Sequence, residues 1–495
     1  MPIVIHLVVL AALVLLFAAG LRAPLGQGRA RLPWRAAGVA GVLLAALLAN
    51  VVSYRNDQHF DVTREEAFTP APETLQVLRD LTQDVELIYF YQQQNPAGRA
   101  AKEMVEIMGK VTPHLKVRTI DPDQQPALAS QLGVRMYNAA LLIAGERRIE
   151  VISTEDREIA LGLLRLLRDD KRPLCFLTGH GEYDIDNVAF HTHFEGSQAH
   201  NHDAGGTAVV NMQDHGIGRL RRALDKLGYT VRKLNLATGG SEGVPADCAA
   251  LVDANPRTPY APPDVAQLAR YLEGGGKLLM LIEPDYALGA ELAALLERAG
   301  VRVGSGVVVD PTSHYFSDEQ MVAIEKYTVH PATLGLAMSF FPGARPLEPV
   351  PASGVRSTVL FSSSANSTVV TGAGAGSSGK SANDAVGRVG ARALAIASEG
   401  RLGAGMPPFR LAVVGDADFA SNSFYPYLAN ADLMLGLLAW LRGEPRGPAM
   451  KPPVEVLPTV VLTNSQMQAI FVGCVLLLPG LCAALGVAVW WRRRF

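Results

Sequence analysis

The sequence predicts an α/β protein in which three transmembrane helices hold one large extracytoplasmic body. Two observations lead to this prediction. Three apolar segments are each long enough to cross a hydrocarbon core of about 30 Å as a helix, which needs roughly 20 residues. Between the second and third of them, apolar strands alternate with amphipathic helices, the pattern of βαβ units. The three segments are residues 2–21, 36–54 and 467–491.

Arginines flank these segments and predict their orientation. The connector 22–35 contains four arginines and no acidic residue, and the chain ends in three arginines before Phe495. Because basic residues favour the cytoplasmic side, residues 55–466 should lie outside it. We therefore predict a multi-pass protein of the bacterial inner (cytoplasmic) membrane with a periplasmic main domain. A cleaved signal peptide is the alternative for the first segment, but MPIVIHL lacks the basic n-region of such peptides.

Charge and cysteine content exclude several functional classes. The formal net charge of −2 gives no reason to expect nucleic acid as a partner. Of the four cysteines, Cys474 and Cys482 lie in the third apolar segment. A disulfide between Cys175 and Cys248 is possible, but Cys175 lies in the apolar strand PLCFLTG, and a buried thiol is the simpler prediction. No CxxC motif is present, and no cofactor is predicted.

Residues 55–153 show a compact order of elements after the segment 1–54, which contains two apolar stretches and the basic connector. A first helix is predicted at 69–81. Strand, helix, strand, helix and a two-stranded hairpin then follow at 85–91, 98–111, 115–121, 125–133 and 139–153. This is the thioredoxin-like order, although the turn after the first strand lacks the CxxC needed for redox chemistry. We therefore predict a thioredoxin-like scaffold without thiol activity.

Residues 154–441 are predicted to form a second α/β domain around a parallel sheet. It begins with a helix at 154–169, for which Thr154 is the expected N-cap. Residues 310–390 are polar and irregular, and we expect loops plus an edge hairpin there. A proline-rich strap at 442–466 leads to the third apolar segment and its basic tail, 467–495. The expected strands are 172–179, 231–236, 248–254, 277–284, 301–309, 391–398 and 409–416, and the expected helices are 216–230, 262–276, 288–299 and 430–441.

Several segments occur in an order that is shared with a known family. They are FLTGHGE (176–182), YLEGGGKLLMLIEP (271–284), VVGDADFASN (413–422) and a final apolar helix ending in WWRRR. In these the chain resembles the GldG-like family, the auxiliary membrane component of gliding-motility-type ABC transporters. The resemblance implies a thioredoxin-like region, then a domain similar to class I glutamine amidotransferases, and partner permease and ATPase subunits on separate chains. The N-terminal apolar pair and a His-rich stretch after GHGE depart from the family.

Four polar residues at strand ends are the candidate ligand-binding residues. His180 and Glu182 follow the strand 172–179, and Asp416 and Asp418 end the strand 409–416. Open α/β sheets bind ligands at the carboxyl ends of their strands. The structural alternative for GHGE is a tight turn whose glycines adopt φ > 0 and whose His and Glu satisfy loop amides. The aspartates would equally cap the next turn.

Two further patterns suggest metal and nucleotide chemistry. Histidines cluster in 184–215, where the HxH spacing would suit Zn²⁺ or Cu²⁺; the alternative is a solvated polar insertion. Residues 374–381 match the phosphate-loop pattern GxxxxGK[ST], but no strand leads directly into them and ANDAVGRVGAR is a poor helix. We predict no bound metal and no direct ATP binding. The candidate metal ligands are His191, His193, His200 and His202.

No catalytic residues are predicted. An amidotransferase needs a cysteine nucleophile on a strand-to-helix elbow, and neither Cys175 nor Cys248 occupies such a turn. The sequence favours a non-enzymatic membrane subunit of an ABC-type transport system that binds a substrate or couples the transporter to the envelope. The alternatives are a membrane-anchored ligand-binding or sensor protein that is independent of a transporter, and a metal-dependent envelope enzyme that uses His180, Glu182 and the histidines of 184–215.

Overall fold

The computed structural model describes 69–133, 136–189, 216–236, 243–315, 318–371, 388–444, 470–477 and 479–480. The chain divides into two compact units, residues 1–69 and 70–495. The second unit contains the helices and sheets that follow. It is a mixed α/β structure, in agreement with that part of the predicted fold class. The domain boundaries proposed from the sequence stay predictions.

The structure corrects the membrane part of the predicted fold class. Within the residues that it describes, no helix is long and apolar enough to cross a membrane. This contradicts the three transmembrane helices and the multi-pass inner-membrane localisation inferred from them. Segments 2–21 and 36–54 lie outside the described residues, and 467–491 is described only at 470–477 and 479–480, with a π-helical stretch at Val472–Leu477.

The first sheet has the strand order β2-β1-β3-β4. Strands β1 and β2 are parallel, whereas β3 runs antiparallel to both β1 and β4. Helix α2 begins at a proline, and the Asn95 side chain accepts from the amide of Ala97 at 2.9 Å, a favourable N-cap. The predicted order of elements is therefore confirmed. They are α1 (Pro72–Arg79), β1 (Val85–Phe90), α2 (Pro96–Val111), β2 (Leu115–Ile120), α3 (Pro126–Gln131), β3 (Ala139–Ala144) and β4 (Arg147–Ile152).

A nine-stranded sheet follows in the described residues, with the order β6-β5-β7-β8-β17-β16-β13-β9 and β14 paired to β16. Neighbours from β6 to β17 are parallel, and β16 is antiparallel to β17. The elements up to the irregular region are α4 (Asp156–Leu167), β5 (Leu174–Thr178), α5 (Gly218–Lys226), β6 (Val231–Asn235), β7 (Ala250–Ala254), α6 (Pro262–Glu273), β8 (Lys277–Leu281), α7 (Ala290–Arg298) and β9 (Val301–Val303). The sheet continues in β16 (Ala393–Gly400) and β17 (Phe409–Val414), which α8 (Asn430–Arg442) follows.

The region 310–390 contains more strand than the sequence indicated. The predicted strand 301–309 breaks into β9 and β10, because Gly304 and Gly306 lie between them and Gly306 has φ +87°. Strand β14 runs antiparallel along β16 and so enlarges the main sheet. Within the described part of 310–390 the structure thus has five strands, two of them an antiparallel pair, where the sequence predicted loops plus an edge hairpin. β10 (Val307–Val309) ends just before this region, and the strands within its described part are β11 (Met321–Ile324), β12 (Ser339–Pro342), β13 (Leu347–Pro349), β14 (Val355–Ser362) and β15 (Thr368–Val370).

The central parallel strands are buried on both faces. Alternate residues of β8, such as Leu278 and Leu279, belong to two different apolar clusters, because successive side chains of a strand point to opposite faces. Leu433 of α8 joins the cluster on one face, and Leu268 of α6 joins the other. The result is a three-layer arrangement, which explains why these strands are continuous apolar runs in the sequence.

Two local predictions are corrected. Cys175 of β5 and Cys248, just before β7, form a disulfide with a Cα–Cα distance of 5.8 Å, so neither is a free thiol. Parallel pairing of β5 with β7 places the two cysteines side by side, which the sequence spacing of 73 residues does not reveal. Thr154 does not cap α4. Glu155 occupies the N-cap position, and no side chain makes a cap hydrogen bond there.

Candidate functional site

Polar residues gather at one edge of the nine-stranded sheet, where the parallel strands β5, β7, β8 and β17 end. Each strand continues into a short loop, and these loops meet because parallel strands end on the same side. Tyr183, after β5, donates its hydroxyl to Asp418, after β17, and its amide to the carbonyl of Ala254 at 2.8 Å. The structure therefore places the four residues predicted from the sequence in loops at the same end of the sheet, which we call the carboxyl edge.

His180 and Glu182 fasten the loop after β5. Gly179 and Gly181 have φ of +113° and +84°, and the Glu182 carboxylate accepts from the amide of His180 at 2.7 Å. The His180 ring lies 3.3 Å from Glu182 Oε1 through Nδ1 and 3.3 Å from Asp264 Oδ2 through Nε2. It also stacks on Tyr260 with ring centroids 3.9 Å apart. These are the features that the structural alternative for GHGE predicts.

The side chains of His180 and Glu182 are buried, which limits their contact with solutes in this conformation. Their side chains are only 8% and 1% exposed, and Asp264 is 9% exposed. A solute therefore reaches these groups only if the surrounding loops open. Arg257 and Thr258 hold the same loop from the other side, because both amides donate to the His180 carbonyl, at 2.8 and 2.9 Å. The arrangement fixes the geometry of two loops and holds an imidazole between two carboxylates.

Asp253, which we did not predict, lies beneath this loop inside β7. It is fully buried, and its carboxyl group lies beside the side chain of Tyr260. Burial, with a contribution from the charge of Glu182, raises the pKa of Asp253 well above its usual range. Burial therefore favours the neutral form of this carboxyl group over the charged one. A lone aspartate within the apolar run CAALVDA was the sequence signal that would have found it.

Glu283, Asp416 and Asp418 form a second group of acids at the carboxyl edge. Glu283 Oε1 accepts from the amides of Ala417 and Asp418 at 2.5 and 3.1 Å. Asp416 Oδ1 accepts from the amide of Phe419, in the 3₁₀ turn Asp418–Ala420, at 2.8 Å. Burial and the neighbouring carboxylates raise the pKa of both Glu283 and Asp416 well above their usual ranges. Buried carboxyls of this kind hold protons at a pH where exposed ones do not.

Arg345 supports this edge and was also missed by the sequence analysis. Its guanidinium donates to the carbonyls of Glu283 and Gly304 at 3.0 and 2.6 Å, and it is nearly fully buried. Burial lowers the pKa of Arg345, and the charge of Glu283 opposes that shift. The short stretch GARPLEP gave no signal, because the carbonyls that bind Arg345 come from segments about 40 and 60 residues away in the chain.

The metal and nucleotide candidates are not tested by the structure. His191, His193, His200 and His202 lie outside the described residues, and so does the phosphate-loop match 374–381. In the part of the chain that is described, no group of three or more His, Cys, Asp or Glu side chains is placed to hold a metal ion. The prediction that the chain binds no metal and no ATP therefore stays a prediction.

Comparisons with known proteins place the nine-stranded sheet in a family. The sequence model of a family described as "ABC-type uncharacterized transport system", an auxiliary component, matches residues 171–447, which is more than half of the chain. This match starts just before β5 and ends just after α8. No curated protein matches the sequence.

Some solved structures are similar at low TM-scores. The mmIFT52 N-terminal domain is 14% identical, covers 54% of this chain and 96% of its own, and has a TM-score of 0.35. Fasciola hepatica thioredoxin is 15% identical, covers 18% and 88%, and has a TM-score of 0.16. The exo-β-1,4-mannosidase Op5Man5 from Opitutaceae bacterium strain TAV5 is 12% identical, covers 71% and 51%, and has a TM-score of 0.28. At these scores the similarities carry no conclusion about this chain.

Proposed function

This chain belongs to the family of ABC-type uncharacterized transport system auxiliary components, and we propose that it is a non-catalytic subunit that assembles with a permease and an ATPase on separate chains. The single observation that carries the proposal is the family match over 171–447. We further propose that the transporter is of the gliding-motility type, which the resemblance of FLTGHGE and VVGDADFASN implies.

The chemistry of the carboxyl edge supports a coupling role. Glu182 accepts from the amide of His180 in the loop after β5, Asp416 accepts from the amide of Phe419, and Glu283 accepts from the amide of Ala417. Side chains that are buried and hydrogen-bonded in this way hold the backbone of their loops in one conformation. We propose that these loops form a fixed surface at the end of the parallel strands, against which a partner subunit or a transported ligand is positioned.

We propose that the partner ATPase, and not this chain, binds and hydrolyses ATP. The phosphate-loop match at 374–381 follows a Ser/Gly-rich stretch, and its lysine, Lys380, precedes a sequence with two glycines that forms helices poorly. The Lys380→Ala variant should therefore support transport as well as the wild-type chain does. ATP binding by the purified chain that is lost in this variant would contradict this part of the proposal.

Affinity purification of the tagged full-length chain in mild detergent tests the assembly. We expect a polytopic permease and an ATPase to be recovered together with it, identified by mass spectrometry and absent from an untagged control. Mixing tagged and untagged lysates before purification controls for association after lysis. Recovery of the chain alone, in a form that still restores function to a deletion strain, would reject the transporter subunit in favour of an independent receptor.

A further inference from the structure

A cleft of about 820 Å³ lies at the opposite edge of the nine-stranded sheet, where β8 and β17 begin. Its size is within the range of about 300 to 1,000 Å³ that is typical of small-molecule sites. Val355, Pro408 and Phe409 supply apolar lining, and the charged lining comes from Lys277, Arg356, Glu399 and Arg410. None of these residues belongs to the carboxyl edge, so the cleft is a separate feature.

Strand register places the four charged residues in one row. Arg356 of β14 is opposite Glu399 of β16, Glu399 is opposite Arg410 of β17, and Arg410 is opposite Lys277 of β8. Residues that are directly opposite in neighbouring strands share a face of the sheet. The row, which we call the cationic row, therefore presents three positive groups and one negative group to the same cleft.

Glu399 is the one carboxylate of the cationic row, and it interacts with both of the row's arginines. Glu399 pairs with Arg356 through Oε1 and lies 3.8 Å from Arg410 through Oε2. Lys277 donates to the carbonyl of Arg442 at 3.4 Å, and within the described residues no carboxylate lies within ion-pair distance of its ammonium. The row thus carries more positive charge than its own acid balances.

Groups around Lys277 add to the positive potential. Burial and the guanidiniums of Arg172, Arg410 and Arg442 lower the pKa of Lys277, and Asp170 opposes them only in part. Part of this charge has a structural use, because Lys277 and Arg410 donate to the carbonyls of Arg442 and Trp440 at the end of α8. Each of these contacts uses one N–H group, and an ammonium and a guanidinium carry further donors.

We propose that this cleft binds a small organic oxyanion, one that carries carboxylate or phosphate groups, through Lys277, Arg410 and Arg356. Guanidinium and ammonium groups make their strongest hydrogen bonds to such oxygens. Apolar lining from Val355 and Pro408 accommodates the carbon skeleton of the ligand. The proposal goes beyond the assembly proposed above, because the oxyanion would be a ligand of this chain itself.

Calorimetric titration of the purified full-length chain tests the proposal, with inorganic phosphate and citrate as separate probes and sodium chloride of equal ionic strength as the blank. Lys277→Met and Arg356→Gln should each weaken binding of the tighter probe about tenfold, since each removes a charged hydrogen-bond donor. Lys116→Met is the matched control, because Lys116 is 71% exposed and lies in the first sheet. The probe that binds more tightly identifies the oxyanion class.

Each outcome of the calorimetric titration either supports the proposal or overturns it. Saturable binding that both cleft variants weaken, and that the control does not, supports the proposal. Absence of saturable binding up to about 10 mM of either probe, or affinity unchanged in Arg356→Gln, overturns it. If Lys277→Met alters the unfolding midpoint, the Arg356→Gln variant alone tests the proposal. The Arg356 side chain is 78% exposed, so its loss leaves the core intact.

Discussion

At the scale of single residues, Glu283 shows how burial and hydrogen bonding compete. Two backbone amides donate to its carboxylate and favour the charged form, whereas burial and the charges of Asp418 and Asp416 favour the neutral form. The net result is a raised pKa. The folded state therefore binds a proton more tightly than the unfolded state does. Stability from this group declines as pH rises from the ordinary glutamate pKa of 4.5 through the folded value.

Glu283→Gln should flatten the pH dependence of stability. The amide oxygen of glutamine still accepts from Ala417 and Asp418, but the side chain no longer loses a proton as pH rises. We expect the fall in the free energy of unfolding between about pH 5 and about pH 8 to be smaller than in the wild type. Urea denaturation across this range measures it. Asp285→Asn, at a 63% exposed side chain, is the control. An unchanged pH profile in Glu283→Gln would contradict the assignment.

The residues of the carboxyl edge were predictable in part. His180, Glu182, Asp416 and Asp418 could be identified because each follows a strongly apolar strand, and strand ends are readable from sequence. Arg345 could not, because its partners are carbonyl groups, which every residue has. Asp253 was predictable as well, because an ionisable residue inside the apolar run CAALVDA stands out in the sequence.

At the scale of elements, the disulfide joins β5 to Cys248, two residues before the parallel neighbour β7. The link between Cys175 and Cys248 closes a long loop of the chain, and Arg232 Nη2 lies 3.5 and 3.2 Å from the two sulfur atoms. A covalent link between distant positions lowers the entropy of the unfolded chain, more so for a long loop. The bond therefore stabilises the pairing of two central strands.

Replacing both cysteines, as Cys175→Ala with Cys248→Ala, should lower the free energy of unfolding by about 2–4 kcal/mol. Urea denaturation with and without a reductant measures the effect. Reductant should destabilise the wild type by a similar amount and leave the double variant unchanged. If thiol titration shows that the bond is reduced while the unfolding midpoint of the wild type stays the same, the stabilising role is wrong.

At the scale of the whole molecule, Arg442 connects elements that are far apart in sequence. Its guanidinium donates to the carbonyls of Asp170 and Arg172, each at 3.0 Å, and pairs with Glu444 at 3.1 Å. The side chain is 1% exposed, so its charge depends entirely on these partners. The segment after α4 is thereby tied to the end of α8, some 270 residues later in the chain.

Arg442→Met should lower the free energy of unfolding by about 3 kcal/mol or more, because it leaves the carbonyls of Asp170 and Arg172 without their donor and removes a buried cation from beside Asp170. Hydrogen bonds from Arg172 hold the pKa of Asp170 well below its usual range, and Arg442 adds to this. The stabilisation is present above the ordinary aspartate pKa of 3.8 and is lost as pH falls below it.

Arg298→Met is the control for this prediction, since the exposed pair of Arg298 with Glu273 should contribute less than about 1 kcal/mol. Chemical denaturation at neutral pH compares the two variants. Equal losses of the free energy of unfolding in Arg442→Met and Arg298→Met would show that the buried contacts of Arg442 stabilise the fold no more than an exposed ion pair does.

By itself the sequence determined the α/β class, the succession of elements such as β1 to β4, and the position of polar residues at strand ends. These depend on local periodicity and on turn residues, which a single segment carries in full. Only the tertiary structure decided the disulfide, the strands of 310–390, the cationic row and the contacts of Arg345. Each of these requires that segments distant in the chain lie side by side, and no local pattern encodes which strand will be the neighbour of which.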